Sequence, residues 1–214
     1  MMTTLLRQAF FWLLVRPFLL VVVGMHVRHR ERLPSRGPAI LVANHNSHLD
    51  TMALMTLLPP RLLGITHPVA AADYFLANRI RAWFALKIIG IIPIERTGRV
   101  AARDPLADVS RALERGEIVI VFPEGSRGEP EELTTFKKGV AHLAKRHPDV
   151  PVVPVFMHGL GKSLPKDDWL PVPFFVDVFV GDAMHGSHDH NAFTKAMSER
   201  VRALACEGKF PSWD

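Results

Sequence analysis

The sequence predicts an α/β fold with a mostly parallel or mixed central sheet flanked by helices, preceded by an apolar, membrane-associating helical segment. Three observations predict it. From Pro34 onward, short apolar runs of strand length alternate with stretches of helical spacing, the pattern of strands and crossover helices. Two of these runs, Ile118-Val-Ile-Val-Phe122 and residues 150–157, are apolar without interruption, as strands buried on both faces are. The most apolar stretch of all lies at the start, beside a cluster of arginines.

The elements follow in order. Residues 9–15 and 18–25 are apolar but are separated by Arg16-Pro17. An arginine at the centre of a span costs about 2.5–3.5 kcal/mol to insert, and proline lacks the amide hydrogen a helix needs. Two short helices lying in the membrane interface are therefore expected rather than one span. No small-residue cleavage site of a signal peptide follows, and the next residues, His26-Val-Arg-His-Arg-Glu-Arg-Leu33, are basic and suited to anionic headgroups. Residues 38–43 predict a strand, 50–58 a helix closed by Pro59-Pro60, and 70–75 a short strand. A helix over 77–89 ends at Gly90, and 91–95 extend as a strand. Leu106, Val109 and Leu113 mark one helical face. The strands 118–122, 150–157 and 174–180 follow, and a final helix over 191–206 can be capped by Asn191. No internal repeat or linker divides the chain. The expected organisation is a membrane-associating segment over 1–32 and an α/β domain over 33–214.

Composition narrows the function. The chain has 214 residues, 48% hydrophobic and 22% charged, which describes a folded chain rather than a disordered one. A lone cysteine, Cys206, rules out an internal disulfide and a cysteine zinc cage, so a reducing compartment is expected. Residues 1–36 hold six arginines and one acid, the whole of the net charge of +5. Because those arginines adjoin an apolar segment and not a series of stacking aromatics, the partner they fit is a membrane lipid surface and not nucleic acid.

In open α/β sheets, sites form beyond the carboxyl ends of the strands. Three polar clusters sit there: Asn44-His45-Asn46-Ser47-His48-Leu49-Asp50, Glu95-Arg96-Thr97-Gly98-Arg99, and Pro123-Glu124-Gly125-Ser126-Arg127-Gly128. His45 and Asp50 would stand about 140° apart on a continuous helix. With His45 in the strand-to-helix turn, Asp50 in the first helical turn and Asn46 or Ser47 as cap, the carboxylate can swing back to the imidazole. It would then fix the ring tautomer and leave the other nitrogen as a general base. Ser47 suits a cap better than a nucleophile. No metal is expected here, since a second cluster of ligands is missing, and His185, His188 and His190 read as a solvated loop.

His45-x4-Asp50, then Ile94-Glu95-Arg96, then Phe122-Pro123-Glu124-Gly125-Ser126-Arg127, then Val152-Val153-Pro154-Val155 resemble the four ordered blocks of the glycerolipid acyltransferases, the 1-acylglycerol-3-phosphate acyltransferase family. Phe136-Lys137-Lys138-Gly139 resembles the start of the helix after the third block. The resemblance implies an O-acyltransferase that moves a fatty acyl group from acyl-CoA or acyl-carrier protein to the hydroxyl of a lysophospholipid acceptor. The expected acceptor is 1-acylglycerol-3-phosphate, giving phosphatidic acid in phospholipid biosynthesis. No cofactor is implied beyond the donor thioester. His45 is then the base and Asp50 its orienter, while Arg96, Glu124, Gly125, Ser126 and Arg127 hold the acceptor. Guanidinium forks fit phosphate oxygens, and a Gly-Ser turn offers amides to an anion. Glu124 is expected to bond the glycerol hydroxyl or hold Arg127.

Many relatives carry a lysine-rich stretch where this chain has Ala70-Ala71-Ala72-Asp73-Tyr74-Phe75, which leaves another lysolipid acceptor, such as a lyso-aminolipid, as a variant. Two further readings stay open: a thioester hydrolase using the same pair on water, and a non-catalytic lipid-surface module. The lack of Gly-x-Ser-x-Gly argues against a serine hydrolase. The expected location is the cytoplasmic face of the cell membrane.

Overall fold

The apolar runs pair with one another. In the structure, a computed structural model that describes residues 2–95, 104–126, 128, 133–163 and 175–210, β2 (Ala39–Ala43) is central and fully buried. It pairs in parallel with β5 (Ile118–Val121) on one side and β6 (Val152–His158) on the other, Leu41 standing opposite both Ile120 and Val153. Beyond β5 lie β3 (Thr66–Ala71) and β4 (Ile92–Ile94). Beyond β6 lie β7 (Val176–Val180) and β1 (Met25–Arg28). The order is β1-β7-β6-β2-β5-β3-β4, and β7 meets β6 antiparallel, so the sheet is mixed.

Alternation along the buried strands sorts their side chains onto two faces. Ala39, Leu41, Ile118, Ile120, Val153 and Val155 face one core, whereas Ile40, Val42, Val119, Val152 and Phe156 face the other. The first core is covered by α1 (Met2–Phe10) with its continuation, by α2 (Leu49–Leu57), and by the turns Pro60–Ile65 and Phe84–Ile89. Short α3 (Ala72–Phe75) and α4 (Arg79–Trp83) lead into the last of these. The second is covered by α5 (Ala107–Glu114), α6 (Gly139–Arg146) and, after the single turn α7 (Leu160–Ser163), by α8 (His190–Glu207).

Four expectations are corrected. The N-terminal segment is one helical run and not two short helices. It passes through Arg16-Pro17 because its turns widen at Phe11–Val15 and Phe18–Val23, and the Arg16 amide bonds the Phe11 carbonyl five residues back, which relieves the crowding a proline creates. Phe11, Val15, Leu19 and Val23 from this run are buried in the first core. The stretch expected as a strand over 70–75 is instead the end of β3 and the turn α3, since β3 starts earlier, at Thr66. The final helix is capped by Asp189, whose carboxylate accepts from the Asn191 and Ala192 amides, and not by Asn191. The basic residues after the apolar run form edge strand β1 and bond the domain: His26 meets Asp177 at 3.1 Å and Arg32 meets Asp182 at 3.1 Å. Asp177 lies on β7 and Asp182 just beyond it, and the sheet thus begins ahead of residue 33.

Candidate functional site

Three parallel strands end side by side, and their loops build the site. Where β2 ends, Asn44 is buried and takes over from the ladder. Its side-chain amide donates to the Met157 carbonyl and its carbonyl oxygen accepts from the Met157 amide, both at 2.8 Å. A second bond runs from Asn44 Nδ2 to Asn46 Oδ1 at 2.8 Å. The end of β6 therefore holds the turn that carries His45 through its backbone, although no side chain of Val152-Val153-Pro154-Val155 does chemistry.

Asp50, 1% exposed in the first turn of α2, turns back to that loop. Its Oδ2 accepts from the Asn46 amide at 2.7 Å and the Ser47 amide at 2.8 Å. It also lies 2.9 Å from His45 Nδ1. A carboxylate only accepts, so Nδ1 carries the proton and Nε2 presents its lone pair. The turn expected to be capped by Asn46 or Ser47 is thus closed chiefly by Asp50 itself, while Ser47 Oγ accepts from the Leu49 amide at 3.2 Å. The His45 ring stacks on Phe122, centroids 4.1 Å apart and planes 18° off parallel. Two chi angles of the imidazole are thereby fixed by a carboxylate and an aromatic floor.

The loop after β5 grips the same residue from the other side. The His45 amide donates to Glu124 Oε1 at 3.0 Å, and the His45 carbonyl accepts from the Gly128 amide at 3.0 Å. Glu124 is buried, and Thr134 Oγ1 donates to its Oε2 at 2.7 Å. Burial pushes the Glu124 carboxyl above its ordinary pKa, with the bonds from Thr134 and His45 pulling the other way. Gly125 follows at φ +78°, a conformation glycine adopts without strain, and its amide closes the turn onto Phe122 O at 3.1 Å. A Cβ there would lie 2.6 Å from Lys137 Nζ, so Lys137 packs over the turn. Ser126 is exposed beside it.

Of the residues the sequence singled out, His45, Asp50, Glu124, Gly125 and Ser126 come together. Arg96 and Arg127 lie outside the described residues, as do Arg99 and Arg103. Asn44, Phe122 and Thr134 emerge as parts of the site. Asn44 and Phe122 stand within the stretches the sequence singled out, without a role assigned to them, and have the signal of their position, a polar or aromatic residue at a strand end. Thr134, ten residues from Glu124, has no local signal. Away from the site, the His190 ring lies 4.1 Å from that of His142, and among the described residues no three His, Cys, Asp or Glu side chains form a metal-holding group.

Known proteins resemble this chain in sequence and in fold. The sequence profile of the family described as Acyltransferase matches residues 24–158, a span that holds all four motifs. The mouse 1-acyl-sn-glycerol-3-phosphate acyltransferase alpha is 32% identical over 136 residues, which are 63% of this chain and 45% of that protein. The 1-acyl-sn-glycerol-3-phosphate acyltransferase of Pseudomonas aeruginosa is 27% identical over 190 residues, 87% of this chain and 70% of that protein. The crystal structure of the 1-acyl-sn-glycerophosphate (LPA) acyltransferase PlsC from Thermotoga maritima superposes with a TM-score of 0.76 at 22% identity, covering 98% of this chain and 81% of that one. The chain spans about half the length, or less, of the mammalian and plant relatives it matches.

Proposed function

The chain belongs to the acyltransferase family, and from that membership we propose that it transfers a fatty acyl group from an acyl thioester to the free hydroxyl of 1-acylglycerol-3-phosphate. The observation that carries the proposal is the His45 Nδ1 to Asp50 Oδ2 bond of 2.9 Å, made by a ring whose other nitrogen has no hydrogen-bond partner among the described residues. Nε2 takes the proton of the acceptor hydroxyl as its oxygen attacks the thioester carbonyl. The tetrahedral intermediate collapses, the carbon–sulfur bond breaks, and the imidazolium returns the proton to the departing thiolate. Asp50, nearly dry, stabilises the imidazolium between these steps. No acyl-enzyme is required, and the products are a diacylglycerol phosphate and the free thiol.

Arg96, Arg127 and the Gly125-Ser126 turn hold the acceptor phosphate in this proposal. Glu124 contributes by fixing the backbone of His45 in its attacking position. The donor is acyl-CoA or acyl-carrier protein. The protein works on a membrane, at the cytoplasmic face, where the outer side of the N-terminal helix meets lipid: Leu13 is 73% and Val21 82% exposed on it, opposite the buried Phe11, Val15 and Leu19.

The test uses detergent-purified protein, radiolabelled palmitoyl-CoA or palmitoyl-acyl-carrier protein, and a panel of lysophospholipids that includes lysophosphatidic acid, with His45→Ala alongside. Label is expected in phosphatidic acid with the wild type alone. Free fatty acid released at one rate with and without acceptor would replace transfer by hydrolysis. Transfer to a lyso-aminolipid in preference to lysophosphatidic acid would move the acceptor.

A further inference from the structure

Between β3 and β4 the chain carries a second apolar face that the site does not use. Ile80 is 80% exposed and Trp83 50%, and Tyr74, Leu76 and Leu86 are exposed with them. Residues 76–87 hold Arg79, Arg81 and Lys87, all exposed, and no acid. This composition, apolar with only positive charge, fits an anionic lipid surface: aliphatic side chains enter the acyl boundary, while tryptophan, tyrosine and arginine sit at headgroup level.

Two contacts decide what covers this face. The first is continuity with the N-terminal helix, whose Phe10 ring meets Phe84 edge to face at 5.3 Å. Both elements also place an arginine over an aromatic ring at the rim: Arg16 lies 4.5 Å from the Trp12 centroid, and Arg81 lies 5.0 Å from that of Tyr74. The second is Tyr74, which stacks on His48 at 6.1 Å, three residues from His45. The same face thus runs from the N-terminal helix to the catalytic turn.

We propose that residues 74–86 are a second membrane-contacting element, docking on anionic phospholipid through Ile80, Trp83 and Leu86 and setting the His45 turn beside the lipid surface. The inference rests on the membrane-associated reading above and extends it to a different segment. Part of the protein's hold on lipid then lies outside the N-terminal helix.

Trp83 reports on the proposal directly. Replacing Trp12, Trp169 and Trp213 by Phe leaves it the only tryptophan. In vesicles of phosphatidylglycerol and brominated phosphatidylcholine, its emission is expected to shift to the blue and be quenched by bromine, while acrylamide, which reaches it in solution, loses access. Ile80→Glu with Lys87→Glu, at an unchanged circular dichroism spectrum, is expected to weaken partition into these vesicles by about tenfold or more. The proposal is overturned if the chain sediments with vesicles while Trp83 stays accessible to acrylamide, or if it does not sediment at all. It is equally overturned if Trp83 is already shielded without lipid, by a second copy or another part of the chain. Binding is read without turnover, so a chain that docks through Trp83 and transfers no acyl group refutes the proposed reaction and leaves this surface standing.

Discussion

The proposed chemistry hangs on one histidine held at four points: a carboxylate on Nδ1, an aromatic ring beneath, and a bond to each of its backbone groups. Asp50→Asn keeps a side chain of the same shape but removes the charge that stabilises the imidazolium. It is expected to lower kcat about 10²–10⁴-fold with the acceptor KM little changed, which steady-state transfer assays will check. Glu124 is separable from this pair. In Glu124→Gln an amide oxygen still accepts from the His45 amide and the Thr134 hydroxyl turns to accept in its place, so most of kcat is expected to survive. Glu124→Ala frees the turn and is expected to lose about 10²-fold, the scale of a small misplacement of a reacting group. The pH dependence has a definite sign. Burial raises the Glu124 pKa in the folded chain, so the folded chain holds the proton more tightly than the unfolded one. That stabilisation is present at acid pH and is lost as pH rises from the unfolded carboxylate value through the folded one. Urea midpoints of Glu124→Gln, which has no such titration, should gain on wild type through that window and stay level above it. That His45, Asp50 and Glu124 gather at one place was legible in the sequence because each stands just past an apolar run, where the strand ends meet. The bond from Glu124 to the His45 backbone was not, since backbone partners leave no trace in side-chain identity.

At the scale of elements, the sequence spoke most clearly where burial is complete. Strands β2, β5 and β6 are read within two residues of their ends, because a strand covered on both faces has no polar alternation to obscure it. Edge strand β1 was missed: four residues alternating between half-buried and exposed, with His26 and Arg28 turned outward, look like a basic surface segment. The break expected at Pro17 was overridden by tertiary packing, for the buried stripe of Phe11, Val15, Leu19 and Val23 runs across it. Arg7 shows how tightly that helix is docked. It is buried, and its guanidinium donates to the Thr66 carbonyl. Gly90, which ends the neighbouring helical turn at φ +74°, leaves room for it, since a Cβ there would lie 2.8 Å from Arg7 Nη1. Gly90→Ala therefore meets both a strained conformation and a buried cation, and is expected to cost about 1–3 kcal/mol. Chemical denaturation would check it, and a change within about 0.5 kcal/mol, the range of inert surface substitutions, would mean that the N-terminal helix is held more loosely than its contacts imply.

For the whole molecule, the N-terminal helix has two opposite faces and so two roles that deletion cannot separate. Its inner stripe fills the first core between α2 and the turn Phe84–Ile89, while its outer side is the apolar surface assigned to lipid. Burying four side chains of this size contributes about 6–12 kcal/mol, comparable to the about 5–15 kcal/mol by which whole domains are stable. Removing residues 2–23 is thus expected to unfold the catalytic domain, with loss of the cooperative thermal transition, and a deletion that merely released a folded domain from the membrane would contradict the packing. Charge on the outer side alone isolates the lipid role. Leu13→Glu with Val21→Glu touches only exposed positions, so stability in detergent should move by less than about 0.5 kcal/mol per site, whereas partition into anionic vesicles should fall. With the second face on residues 74–86 still in place, binding should drop but not vanish, and each face should account for its own share when the two sets of substitutions are combined. For the proposed reaction, the arrangement would also bring the site to an acceptor held in a lipid surface. The helix that completes the core and the segment that touches the catalytic turn lie on one side of the sheet, so the fold that forms the site also turns it toward the lipid.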